Sequence, residues 1–219
     1  MNSYNDRLKT RFVEIPIVSI KGSVILPRAF MKIIFVNEKF RKVADHVMGE
    51  QHSHRLFACI QKEDERDLLA GKTVIGSICK MLDLQKNGDK WIGFVLGISP
   101  SKIVYDYSED LVDFGRITLI EEINDLEEEE YQSMQNQLFN LIEEYQHALN
   151  FKACSSRNLK DLNLEDLIGQ FGSYSPITTD FKKKLLKTSS LRKRAQLLID
   201  FLTDLVPQSV VVPTQVREN

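Results

Sequence analysis

The feature that most constrains this chain is a change of hydrophobic period near Asp125. Before it, short apolar runs rich in β-branched residues are broken by Gly, Pro, Asn and Asp: VEIPIVSI (13–20), TVIGSICKMLDL (73–84), WIGFVLGI (91–98), KIVYDY (102–107) and GRITLIEE (115–122). Such runs suit strands, whose pleat accommodates branched side chains. After it, the apolar residues return at helical spacing. Met134, Leu138, Leu141, Ile142, Tyr145 and Leu149 make one stripe, and Leu191, Ala195, Leu198, Ile199, Leu202 and Leu205 make a second. A β-rich half followed by helices predicts an α+β arrangement. The expected division is a β domain over 1–124, a helical bundle over 125–206, and a loose tail over 207–219 once Pro207 has stopped the last helix.

Local signals sharpen this outline. Asn87-Gly88 suits a two-residue type I′ turn between two long antiparallel strands, because both turn positions need positive φ. One helix interrupts the β half over residues 38–49, with Phe40, Val43, Ala44 and Val47 on one face and Gly49 at its end. In the helical half, Asp125 with Glu128 reads as a capping box, and the acidic run 127–130 suits a helix N-terminus. Asn163 reads as the cap of a helix ending at Gly172, with Thr178 and Ser189 as the caps of the two that follow. In SVILPRAFMKIIF (23–35), Pro27 splits an apolar run into a strand ending near Leu26 and another beginning near Met31, with Arg28 in a solvated loop.

Composition excludes more functions than it suggests. A net charge of −2 over 219 residues leaves no general field for nucleic acid, so any such binding needs a local patch. Cys59, Cys79 and Cys154 are widely spaced and read as buried reduced thiols. The charged N-terminus lacks a signal-peptide core and no apolar run is long enough to span a bilayer, so the expected compartment is the cytoplasm. No G-x-x-x-x-G-K-[ST] loop and no G-x-S-x-G elbow occur. His46, His52 and His54 match no standard zinc spacing and read as a solvated helix end. Asp64, Glu65 and Asp67 in QKEDERD read as turn residues. No catalytic residue, metal or cofactor is expected.

Two candidate surfaces remain. Lys182, Lys183, Lys184, Lys187, Arg192, Lys193 and Arg194 crowd a short stretch, and Lys183, Lys184, Lys187, Arg192 and Arg194 form a candidate anion patch. The simpler reading, a solvated helical face balancing the acidic run, is preferred because no aromatic stacking platform accompanies the cations. Arg28, Phe30, Met31 and Trp91 lie near turns, where large side chains can catch unfolded segments; Trp91 also reads as core, since it begins an alternating strand.

The order of these pieces resembles a known family, that of the Lon protease N-terminal domain. Ile15-Pro16-Ile17, Ile20, Val24-Ile25-Leu26-Pro27, Met31, Ile33-Ile34-Phe35 and Lys39-Phe40 follow its opening pattern, L-P-L-x-P-L-x-x-x-V-L-F-P-G-x-x-x-P-L-x-I-F-E-x-R-Y. Phe57 to Lys62 resembles its third strand, Val74-Ile75-Gly76-Ser77-Ile78 its G-T-x-A-x-I strand, and residues 164–186 its closing helical pattern. The chain departs from the pattern at Arg28, where the family has glycine, and lacks an arginine in Gly97-Ile98-Ser99-Pro100. The resemblance implies a PUA-like β-barrel or pseudobarrel followed by a helical bundle. It also implies a non-catalytic module that recognises unfolded or tagged polypeptide, alone or with a protease or chaperone, without cofactor. With no room for ATPase or protease domains, a stand-alone form is expected. An RNA-binding PUA-like module and an uncharacterised hydrolase are the alternatives.

Overall fold

The structure is a computed structural model and describes residues 13–35, 37–49, 54–88, 90–148, 159–174 and 177–205. Its strands are β1 (Val13–Ile20), β2 (Phe30–Phe35), β3 (Leu56–Gln61), β4 (Val74–Asn87), β5 (Lys90–Glu109) and β6 (Val112–Leu119). Helix α1 (Glu38–Met48) follows β2, and a short α2 (Glu65–Leu69) follows β3. The second half holds α3 (Glu128–Ala148), α4 (Leu164–Tyr174), α5 (Thr179–Lys187) and α6 (Leu191–Leu205). The α+β class expected from the period change is the class observed.

The sheet order is β2-β5-β4-β3-β1-β6, and a further β5–β6 pairing closes β1, β3, β4, β5 and β6 into an uneven ring with β2 left outside it. Among the described strands only β1 and β3 run parallel to each other. The two runs 91–98 and 102–107, read as separate strands, are one bent strand. Its first part pairs with β2 and its second with β6, while β4 follows it on the other edge. Pro100 falls where β5 exchanges one partner for the other, a position at which a missing N–H is tolerated.

Alternation along the ring strands separates two apolar clusters. Ile15, Ile17, Ala58, Ile60, Val74, Ile78, Ile103 and Ile117 come from all five ring strands, with Leu68 of α2 beside them. The opposite faces send Val18, Phe57, Cys79 and Met81 to meet Ile33, Phe35 and Val95, and Val43 and Val47 of α1 lie over them. A third cluster fills the helical half around Leu138, Ile142, Phe171, Leu185, Leu198 and Leu202.

The segment 24–29 stitches the barrel to the bundle. Val24 and Leu26 enter the helical cluster, whereas Ile25 and Ala29 enter the β2 side. It is not the end of a strand, because β1 stops at Ile20. Pro27 and Arg28 are the central residues of a type II turn, closed by Ala29 N–H on the Leu26 carbonyl at 3.1 Å, with Arg28 at φ 64. That conformation favours glycine, so Arg28 stands in a left-handed position where the family pattern has Gly. Close approach holds the turn: a β-carbon at Gly97 would strike the Leu26 carbonyl oxygen and one at Gly169 the Pro27 carbonyl oxygen. Gln170 Nε2 donates to the Arg28 carbonyl (2.8 Å), and Leu26 N–H donates to Ser173 Oγ (2.9 Å).

Several local expectations shift. Asn87 pairs with Lys90 and so belongs to the ladder rather than to the turn, and Gly88 carries the positive φ of 59. Asn163 and Thr178 do cap α4 and α5. The cap of α6 is Ser190, whose Oγ accepts from Lys193 N–H, rather than Ser189. Asp125 does not cap α3: its carboxylate accepts from Arg192 N–H and Ser190 Oγ at the start of α6. The reason is tertiary, since Ile123 bridges Ser190 and draws the connection after β6 onto that helix. Helix α4 runs past Gly172 to Tyr174, QKEDERD contains a 3-10 turn and the start of α2, and Leu205 is exposed. Leu149, His52, Cys154 and the tail lie outside the described residues.

Candidate functional site

Directly opposed residues of antiparallel strands share a sheet face, so the β2–β5 register assigns sides. Phe30↔Leu96, Lys32↔Phe94 and Ile34↔Ile92 lie on one face; Met31↔Val95, Ile33↔Gly93 and Phe35↔Trp91 lie on the other. The second face is core, with Phe35 and Val95 both fully buried. The first looks away from it. There Phe30 is 37% and Ile34 49% exposed, and the Phe30 and Phe94 rings stack at 6.0 Å. Leu82, at a bulge in β4, and Ile98, further along β5, add exposed apolar surface nearby. The result is an apolar patch that runs from the outermost strand β2 onto β5 and β4.

The four residues singled out from sequence do not form one surface. Phe30 stands on the outer face, whereas Met31 and Trp91 pack against the β2-side core. Trp91 lies at the opposite end of β2 from Phe30, with Lys86 Nζ 5.8 Å from its ring centre. Arg28 belongs to the turn and sits 3.7 Å from Asp166 of α4. Ile34, Ile92, Phe94 and Leu96 were missed. The signal for them was the alternation of FMKIIF, masked because both of its faces are apolar.

The basic cluster is drawn into separate ion pairs. Lys183 meets Asp64 at 2.8 Å, Arg192 pairs with Glu130, and the buried Arg194 pairs with Glu122. Lys182 is also buried, donating to the Ser173 carbonyl (2.8 Å) at the end of α4, and its burial lowers its pKa. Only Lys184, Lys187 and Lys193 extend from this stretch as exposed cations.

Side chains with chemical potential are engaged structurally. Among the described residues no group of three or more His, Cys, Asp or Glu is placed to hold a metal. Cys59 and Cys79 are buried free thiols, and burial together with Cys59 pushes the Cys79 thiol well up. Three serines meet carboxylates: Ser19 with Glu65 (3.2 Å), Ser108 with Asp113 (2.5 Å) and Ser190 with Asp125 (2.7 Å). Each carboxylate is already committed. Burial works to raise the Glu65 pKa, but Lys62 and Lys39 bring it below its ordinary value. The Ser190 hydroxyl and Arg192 N–H lower that of Asp125, and Lys39 meets Asp113 at 2.5 Å. Glu65 and Asp125, lowered in this way, are poor proton acceptors. Among the described residues no helix is long and apolar enough to cross a membrane.

A family model described as the ATP-dependent protease La (LON) substrate-binding domain matches residues 14–204. The chain belongs to this family. Among solved structures, it is similar to the "N terminal domain of Mycobacterium avium complex Lon protease" at TM-score 0.65 and 17% identity, over 88% of this chain and 99% of that one. It is also similar to the Lon N-terminal domain protein from Xanthomonas campestris at TM-score 0.61 and 12% identity, over 86% and 98% of the two chains. No curated protein matches the sequence. The expected Lon-like fold is therefore the observed one, and the chain is a Lon substrate-binding domain protein.

Proposed function

We propose that this Lon substrate-binding domain protein is a non-catalytic polypeptide-recognition module, acting in the cytoplasm as an adaptor to a protease or chaperone, or as an independent interaction protein. The observation that carries the reading is the apolar patch of exposed Phe30 and Ile34 on the outermost strand, with Phe94 of the adjoining β5 stacked on Phe30, in a family whose defining property is substrate binding. The patch takes the place of the four-residue surface expected from sequence, keeping Phe30. The proposed division of the chain, a β domain through residue 124 and a helical domain over 125–206, puts the patch wholly on the β domain. The engaged cations Lys183, Arg192 and Arg194 weigh against the RNA-binding alternative, and the committed carboxylates against a hydrolase.

The test is binding of a reduced and alkylated, permanently unfolded protein, compared with its native form, followed by calorimetry. The wild type binds the unfolded form selectively. Phe30→Ser and Ile34→Ser each weaken binding about tenfold while unfolding in urea at nearly the wild-type midpoint, because the lost groups are exposed in the free protein. Wild-type affinity in both variants, or no affinity in the wild type, would overturn the reading.

A further inference from the structure

The outer face says where a polypeptide would lie; the edge of β2 says how. β2 is the last strand of the sheet, paired with β5 on one side, and no other described strand pairs with it. An open edge presents alternate N–H and C=O groups to solvent, and soluble proteins shield such edges with proline, bulges or several charges. The sequence FMKIIF carries none of these devices except one charge, Lys32. Lys32 lies on the outer face between Phe30 and Ile34, is exposed, and has no carboxylate partner among the described residues. Lys80 stands on the same face, opposite Leu96 across β4 and β5. Asp83 is the one carboxylate there among the described residues, and it already accepts from Leu84 N–H (2.9 Å) and Gln85 Nε2 (2.8 Å).

We propose that β2 takes up an extended polypeptide as an added strand, and that the preferred segment places a carboxylate between two apolar residues at i, i+2 and i+4. Strand addition supplies main-chain hydrogen bonds, and every second side chain of the added strand faces the outer surface. Those side chains meet Phe30, Lys32 and Ile34 in turn, an apolar-cationic-apolar sequence. The order reads the same in both directions, so it selects apolar-acidic-apolar whether the incoming strand runs parallel or antiparallel. This inference rests on the polypeptide-recognition reading and adds the mode of binding and the class of segment.

The probe is a fluorescent nonapeptide with Val-Thr-Glu-Thr-Val at its centre, measured by anisotropy at low salt. Three relatives accompany it: one with Lys for Glu, and two with alternate amides N-methylated along one edge or the other. The Glu peptide binds more tightly than the Lys peptide by about threefold or more, as expected for an exposed pair. Lys32→Glu reverses that order without altering the circular dichroism. Methylation along one edge weakens binding about tenfold or more, through loss of two or three ladder hydrogen bonds, while methylation along the other edge leaves it nearly unchanged. Equal binding of all methylated forms, with Phe30 and Ile34 still required, overturns strand addition and leaves the recognition reading standing. No binding by any peptide, together with none by an unfolded protein, overturns both. A concentration-dependent dimer that the peptide displaces would assign the edge to a second copy of the chain and overturn the proposal.

Discussion

The basic stretch 182–194 and the apolar stretch 30–35 exchange roles between sequence and structure. In the sequence the first looks like surface chemistry and the second, apart from Phe30 and Met31 near the Pro27 turn, like core. In the fold, Lys182 and Arg194 are buried and Lys183 and Arg192 are held in ion pairs, while Phe30 and Ile34 stand exposed. The difference teaches that a charge is available to a ligand only if the fold has not already paired it. Likewise, an apolar strand is core only if both of its faces are covered.

The sharpest way to break this comparison is at Glu122. Arg194 is almost fully buried, its Nε has no hydrogen-bond partner, and Glu122 supplies its counter-charge. Glu122→Ala leaves a buried cation uncompensated and is expected to cost about 3 kcal/mol in urea unfolding. Arg194→Met removes the charge with the pairing and should cost less. Lys184→Ala and Lys187→Ala should each stay within about 0.5 kcal/mol. If those two instead abolished a salt-sensitive affinity for a polyanion, the stretch would be a binding site after all.

A smaller effect concerns the turn that leads into β2. Arg28 (φ 64) and Leu111 (φ 68) both hold left-handed backbone, Leu111 at the tip of the β5–β6 hairpin with 54% exposure. Leu111→Gly is expected to stabilise by about 1 kcal/mol, as relief of a side chain from that region should. Arg28→Gly should gain less, because it also loses the half-exposed contact with Asp166. Thermal melts of the two variants separate backbone relief from ion pairing. A larger gain at Arg28 would show that its guanidinium contributes nothing to the seam.

The smallest expected effect is confined to alkaline pH. Tyr131 OH donates to Glu165 (2.6 Å) and accepts from Leu164 N–H (3.1 Å). Burial, then the Glu165 hydrogen bond, raises its pKa to about 12. The folded state therefore holds this proton more tightly than the unfolded chain, in which Tyr titrates near ~10. Its stabilising contribution is complete below about pH 10 and is lost as pH climbs through the folded value. Tyr131→Phe should flatten that part of the stability profile in urea titrations. An unchanged slope would place its origin elsewhere; Lys182 could not supply it, because its lowered pKa acts with the opposite sign.

Much of the fold was legible because its signals are local. The β-rich half, the α1 face of Val43, Ala44 and Val47, and the caps at Asn163 and Thr178 all follow from residues within a few positions of one another. The errors have a common physical origin in contacts between distant residues. Asp125 and Glu128 have capping-box spacing, yet the Ile123–Ser190 bridge hands Asp125 to a helix more than sixty residues away. Asn87-Gly88 marked the hairpin, but the ladder between β4 and β5 keeps Asn87 out of the turn.

The candidate site was less legible than the fold. Phe30 was found through its nearness to Pro27, while Ile34 and Phe94 had nothing in their neighbourhoods to separate them from Ile33 and Val95. Their side became definite only through register. Pairing with β5 puts Phe35 and Trp91 inward, and the strand's alternation then forces Phe30, Lys32 and Ile34 outward.

By itself, the sequence determined the α+β class, a β-rich half preceding a helical one, and a turn at Pro27 where the chain must break direction, because periodicity and backbone restriction act over short range. Tertiary structure alone decided that β5 bends to serve both β2 and β6, that β2 is left outside the ring, and that Lys183, Arg194 and Arg192 of the basic stretch are paired with Asp64, Glu122 and Glu130. Those outcomes depend on which distant groups meet. Lys183 and Asp64 are 119 positions apart, and no local pattern encodes their encounter.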